Sequence, residues 1–155
     1  MNNNPIIIGI VGRKRSGKDT ACGFLHNCFS YRMHPIVKRI GFADNVKAEL
    51  ADYLQVDVAW IEKRKTIPKI RELLQWWGTD YRRAENPNYW TDATAAAIKA
   101  HTDKPSPYRP VFIIPDVRFP NEAQWVRDNG GFLMHVERAG LIDNDPHPSE
   151  SFADK

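Results

Sequence analysis

The chain reads as an α/β protein built on a parallel sheet, and three observations carry that reading. An apolar run over residues 5–11 ends in a glycine-framed loop, residues 12–20, with Lys18 inside it. Strand-like and helix-like periodicity then alternate, the pattern of a sheet covered on both faces by helices. Residues 111–114, Val-Phe-Ile-Ile, form a short continuous apolar run that leads to a carboxylate, Asp116, at the edge where such sheets place their chemistry.

The first unit is strand, loop and helix. Gly12 and Gly17 let the backbone curl so that successive N–H groups point at one anion. Lys18 adds a mobile positive charge, and a helix starting near Ser16 contributes its N-terminal dipole. A nucleoside triphosphate fits such a loop, with Arg15 and Ser16 in its bend. Asp19 follows the lysine and the hydroxyl arrives one position later, at Thr20, so magnesium has no Lys-adjacent hydroxyl. A glycine-rich turn that merely opens a helix is the competing reading. In that helix Ala21, Phe24, Leu25 and Phe29 fall at helical spacing and predict one buried stripe.

Residues 36–42 read as the second strand, and Asp44 can cap a helix over 45–54 with Val46, Leu50 and Leu54 along one side. From 57 to 102 the pattern is helical throughout, broken by Pro68, Gly78 and Asn86-Pro87, which predicts a helical insertion between strands. Residues 108–115 supply a third strand ending at Asp116. Residues 119–129 form a helix stopped by Gly130-Gly131, and 132–136 a fourth strand. From Gly140 onward Asp, Asn, Pro and Gly dominate, as in a loop.

At 155 residues the chain fits one domain, 1–155, with a core of its own. No apolar run reaches membrane-spanning length and the N-terminus lacks the regions of a secretory signal, so the expectation is a cytoplasmic protein with no membrane partner. A net charge of +3 with scattered basic residues is too weak for nucleic acid, and fits a small anionic ligand. Cys22 and Cys28, with His26 between them, match no zinc spacing and read as reduced helix cysteines.

Ile70, Leu73, Leu74 and Trp77 lie at i, i+3, i+4 and i+7, so that face of their helix should meet the core. Arg71 and Gln75 share another face, where a guanidinium and an amide can grip a phosphate and a base edge; spacing alone leaves a solvent-facing pair equally open. Beyond them come Gly78-Thr79-Asp80 and Arg82-Arg83, then the aromatic pair Tyr89-Trp90. Trp77 reads as core, while Trp76 and Trp90 could line a pocket. Asp116 and Arg118 stand at the sheet's C-terminal edge, where the Asp could hold magnesium through water and the Arg neutralise a phosphoryl group. Asp116 could equally cap the helix containing Glu122. Arg138 ends the fourth strand beside a segment, 139–148, that could close over phosphates.

Taken as an ordered set, residues 12–20 (Gly-Arg-Lys-Arg-Ser-Gly-Lys-Asp-Thr), 42–47 (Phe-Ala-Asp-Asn-Val-Lys), 71–80 (Arg-Glu-Leu-Leu-Gln-Trp-Trp-Gly-Thr-Asp), 116–122 (Asp-Val-Arg-Phe-Pro-Asn-Glu) and 147–150 (His-Pro-Ser-Glu) resemble the phage-type deoxynucleoside monophosphate kinases. The resemblance spans nearly the whole chain. It implies a three-layer P-loop kinase fold with a helical acceptor-binding insertion at about 57–102 and a lid-like segment at about 138–150. It also implies transfer of the ATP γ-phosphate to a deoxynucleoside monophosphate with Mg2+. Gly17, Lys18, Asp19 and Thr20 would then hold ATP phosphates, and Lys14 would lean toward the acceptor. Lys47, Arg71, Gln75, Trp76, Trp90 and the Gly78-Thr79-Asp80 turn would line the acceptor pocket. Asp116, Arg118 and the lid arginine Arg138 would join Lys18 in catalysis, with Asp19 or Asp116 the candidates to reach the metal through water. The related kinases continue into a fifth strand and a last helix. The expected sheet therefore has about four strands, and either a shortened gene product or a homodimer partner over the exposed edge accounts for the difference. A kinase for another acceptor, such as dephospho-coenzyme A, and a nucleotide-binding protein without turnover are the competing functions.

Overall fold

The computed structural model describes residues 4–31, 36–103 and 106–140. Two compact units divide the chain: one made of residues 1–41 and 97–155, the other of Phe42–Ala96. The first holds the sheet. Its strands are β1 (Ile6–Val11), β2 (Val37–Arg39), β3 (Val111–Val117) and β4 (Phe132–His135), all parallel, in the order β2-β3-β1-β4. Helices α1 (Lys18–Tyr31) and α7 (Pro120–Asp128) make the crossovers β1–α1–β2 and β3–α7–β4. This is the α/β architecture the sequence predicts, consistent with a P-loop kinase-like fold.

The two inner strands read as apolar runs because both their faces are covered. Ile10, Val111, Phe112, Ile113 and Ile114 are fully buried. Ile8, Ile10, Val111 and Ile113 pack with Cys22 of α1, and Leu25 and Phe29 complete that face. The buried stripe of α1 is thus Cys22, Leu25 and Phe29, at i, i+3 and i+7. Phe24, expected in the stripe, is 68% exposed, because the helix turns its Cys22 side to the sheet.

Three element bounds differ from the sequence reading in ways that matter for chemistry. β2 is short: Ile40 still donates its N–H to Ile113 O at 3.0 Å, but Phe42 opens a helix rather than ending a strand. A short apolar run such as Ile-Gly-Phe fits either element. β3 runs past Pro115, so Asp116 lies inside the strand instead of terminating it. Gly9 pairs with Ile114 while Val11 pairs with Val117, so two steps on β1 oppose three on β3. That bulge lets a central strand tolerate Pro115, which has no N–H, and re-aims the residue after it. Finally, Asp116 is not needed to cap α7. Glu122, 1% exposed, reaches back and accepts from the backbone N–H of Arg118 at 2.7 Å and of Phe119 at 3.0 Å, satisfying donors at the helix start.

The second unit is helical: α2 (Phe42–Tyr53), α3 (Val58–Arg64), α4 (Pro68–Gln75), a π-helical segment (Trp76–Tyr81), the short α5 (Arg82–Glu85) and α6 (Tyr89–Thr102), whose last residues lie in the sheet unit. Pro68 sits in the first turn of α4, where its missing N–H costs nothing. Asp44 lies within the first turn of α2 and pairs with Lys47 at 2.7 Å, so it is not the N-cap the sequence suggests. Gly78 does not end a helix; it continues one as π-helix. No helix among the described residues is long and apolar enough to cross a membrane.

Candidate active site

In the sheet unit the loop after β1 has the geometry of an anion cradle. Gly12 has φ +157°, and a Cβ there would stand 2.4 Å from the carbonyl oxygen of Val136 and 2.8 Å from Ser16 Oγ. Only glycine fits. Arg15 at φ 64° and Gly17 at φ 102° are also left-handed, so the backbone curls before α1 begins at Lys18. Ser16 N–H donates to Arg13 O at 3.1 Å, and Ala21 N–H to Gly17 O at 2.9 Å. Lys18 Nζ folds back to donate to the carbonyl oxygens of Gly12 and Arg13, each at 2.5 Å, which holds the ammonium over the loop. Ser16 is only 6% exposed, and its hydroxyl has no hydrogen-bond partner among the described residues. A buried hydroxyl left without a partner normally signals a missing ligand or water, so these residues fit a bound polyphosphate. Lys14 is half-buried in the turn, and Arg15, Asp19 and Thr20 are exposed.

Beside this loop the parallel register brings Val117 opposite Val11, which sets Asp116 and Arg118 next to the start of the cradle. Both are half-buried. Arg39, at the end of β2 next to β3, adds a charge that sequence reasoning missed: its Nη2 lies 3.8 Å from Asp19 Oδ1. Burial pushes the Cys22 thiol above its ordinary pKa. The Arg39 guanidinium, which hydrogen-bonds that side chain, works against the rise, while the Asp19 and Asp116 carboxylates add to it. Asp19, Cys22, Arg39 and Asp116 therefore share one neighbourhood on the β3–β2 side of the loop. Nothing in sequence marked Arg39, an ordinary basic residue at a strand end. Arg138 lies beyond β4 and is exposed; the rest of the lid-like segment from 141, with residues 147–150, falls outside the described residues.

In the helical unit Arg71 and Gln75 are half-buried on α4. Trp76 is half exposed and stacks on Tyr81, with ring centroids 5.4 Å apart and planes 5° from parallel. The expected Gly78-Thr79-Asp80 turn is π-helical instead, a form that often marks functional sites. Packing explains its glycine: a Cβ at Gly78 would lie 3.3 Å from both methyls of Val46. Trp90 is packed in the core at 1% exposed, and its Nε1 donates to Gly78 O at 2.8 Å; it also lines the groove bordered by Glu49 and Tyr89.

Two further side chains in this unit are tied down. Lys47 Nζ pairs with Asp44 at 2.7 Å and Glu62 at 2.9 Å. Glu62, which also accepts from Lys65, titrates at about 2 because the two lysines hydrogen-bond its carboxylate. Glu49 accepts from Trp77 Nε1 at 2.9 Å, Arg82 Nε at 2.5 Å and Tyr89 OH at 2.7 Å. Burial alone would raise its pKa, but those three donors and the Arg82 charge hold it below the usual carboxylate range. The Arg82 guanidinium lies 4.9 Å from the centroids of both Tyr81 and Tyr89, within cation–π reach. Glu49 and Tyr89 border a groove of about 550 Å³ with Asn45, Asn86 and Asp92.

The sequence profile of the family described as deoxynucleotide monophosphate kinase matches residues 32–152. A protein of Acanthamoeba polyphaga mimivirus named "Putative deoxynucleotide monophosphate kinase" is 31% identical over 162 residues, covering 94% of this chain and 80% of its own. The profile begins after the cradle, whereas the pairwise similarity takes in nearly the whole chain. A lysine-bearing glycine loop at the head of α1, a bulged central strand carrying Asp116 with Arg118 just past its end, and these two similarities lead to one conclusion: the chain belongs to the deoxynucleotide monophosphate kinase family.

Proposed function

We propose that this kinase transfers the γ-phosphoryl group of ATP to the 5′-phosphate of a deoxynucleoside monophosphate, giving ADP and the diphosphate. The cradle carries the reading: left-handed backbone at Arg15 and Gly17, the Lys18 ammonium over the loop, and the unpartnered Ser16 hydroxyl. An oxygen of the acceptor phosphate attacks Pγ, and the bond from Pγ to the bridging oxygen breaks, with ADP leaving. Little covalent chemistry falls to the protein, which positions both partners and neutralises spreading negative charge. Backbone N–H groups of residues 15–20 and Lys18 bind the donor phosphates. Arg118 neutralises the phosphoryl group in flight, and Arg138 closes over it. Asp19 or Asp116, through water, would hold Mg2+, which supplies charge neutralisation on the β- and γ-oxygens. Lys14, Arg71, Gln75, Trp76, Thr79 and Asp80 contact the acceptor. The enzyme acts on small molecules in the cytoplasm.

ADP release measured with each of the four deoxynucleoside monophosphates tests the proposal. Turnover with only some of them is the expected result. Silence with all four would leave a nucleotide-binding protein and refute the reading. Lys18→Ala should abolish transfer while leaving the fold intact; undiminished turnover would remove the loop from the mechanism.

A further inference from the structure

We infer that Arg39 is a further phosphate-contacting residue, held by Asp19 until a polyphosphate arrives and then taken over by its terminal phosphoryl group. The inference rests on the reading of residues 12–20 as the donor-phosphate cradle. Four observations support it.

First, topology fixes where Arg39 stands. Parallel pairing places it against Ile113 on β3, at the C-terminal edge of the sheet from which the loop and Asp116 also emerge. Second, the Arg39–Asp19 pair is poor as a structural device. It is 3.8 Å long, with Arg39 47% and Asp19 94% exposed, and pairs of that kind add little to stability and are readily screened. Third, Asp19 sits in the first turn of α1, one residue past Lys18, where the helix dipole and the open backbone N–H groups favour an anion. A carboxylate at that spot repels an incoming polyphosphate unless a cation offsets it, and Arg39 is the cation recorded on it. Fourth, the cradle has an unmet donor of its own in the Ser16 hydroxyl, on a residue 94% buried by the complement of its 6% exposure, so the site the guanidinium borders is built for a ligand.

The two states differ in one exchange. Without ligand, Arg39 bridges to Asp19 and reaches the Cys22 side chain. With a polyphosphate, the planar guanidinium forks onto two phosphoryl oxygens, a stronger and more directional contact than one exposed carboxylate oxygen. α1 packs on β3 and β2, so its first turn and Arg39 lie on the β3–β2 side of the loop. On this inference the phosphoryl group that Arg39 meets from that side is the outermost one.

Binding of inorganic tripolyphosphate and of pyrophosphate to the full-length protein, measured by calorimetry without divalent metal, tests this apart from turnover. Arg39→Ala should weaken tripolyphosphate about tenfold and leave pyrophosphate within about twofold, because the shorter anion fills the inner loop. Arg39→Lys should recover part of the loss. Asp19→Asn should tighten tripolyphosphate, since it weakens the guanidinium's hold on that side chain and removes a repelling charge. Equal losses for both anions, or unchanged tripolyphosphate binding in Arg39→Ala, would overturn the inference and leave a surface ion pair. Lys18→Ala is the control for the underlying reading: it should weaken both anions. If it weakens neither, the cradle itself is misassigned, a failure separate from that of Arg39.

Discussion

Replacing Glu49 tests a carboxylate that holds three donors in the helical unit. Its two oxygens accept from Trp77, Arg82 and Tyr89, and Trp77 is 5% exposed. Hydrogen bonds to a charged group are worth roughly 1.5–3 kcal/mol each in net stability. The Glu49 side chain is 25% exposed, so water can replace part of what is lost. For Glu49→Ala we therefore expect a loss of about 3 kcal/mol, since the buried Trp77 indole loses its acceptor and Arg82 keeps only Glu85 of its two carboxylate partners. Glu49→Gln, which keeps one carbonyl oxygen but no charge, should lose about half as much. The sign with pH follows from the depressed carboxyl. Its contribution is complete above the unfolded-state value and is lost as pH falls through the lower folded-state value. Urea unfolding followed by tryptophan fluorescence at pH 7 and again below pH 4 reads both effects. The gap between wild type and Glu49→Gln should be wide at pH 7 and close in acid. A loss under about 0.5 kcal/mol for Glu49→Ala, the range of an ordinary surface substitution, or a gap that does not narrow, would refute the reasoning.

Three other outcomes follow from single contacts. Gly12→Ala forces a Cβ onto the Val136 carbonyl at a left-handed φ, so it should abolish ATP binding and lower the thermal midpoint by several degrees; calorimetry and a melting curve check both. Glu122→Ala strips the acceptor from two backbone donors at a position 1% exposed and should lose about 2–4 kcal/mol, seen as a lower urea midpoint. Arg71→Ala should raise the acceptor KM at least tenfold with little change in the ATP KM, and equal effects on both would argue against a phosphate grip on α4.

How much was legible in the sequence divides along physical lines. Local chain geometry was readable: glycines that permit left-handed backbone, a lysine at a helix start and an apolar run in each inner strand act within a few residues of themselves. So the loop at 12–20, the alternation of strand and helix, and the place of Asp116 and Arg118 near the sheet edge follow from the sequence alone. Tertiary contacts were not. Phe24 and Cys22 both suit a helix face, and only docking on the sheet chose Cys22. Asp116 was the candidate cap for α7, and the reach of Glu122 to the N–H groups of Arg118 and Phe119 took that place. Trp90 lines a groove and is fixed there by its N–H to Gly78 O, and Arg39 carried no mark until β2 came to lie beside β3 and met Asp19. A linear pattern records what each residue can do with its neighbours in the chain; the partner it selects is decided by residues tens of positions away, which only the folded chain brings within bonding distance.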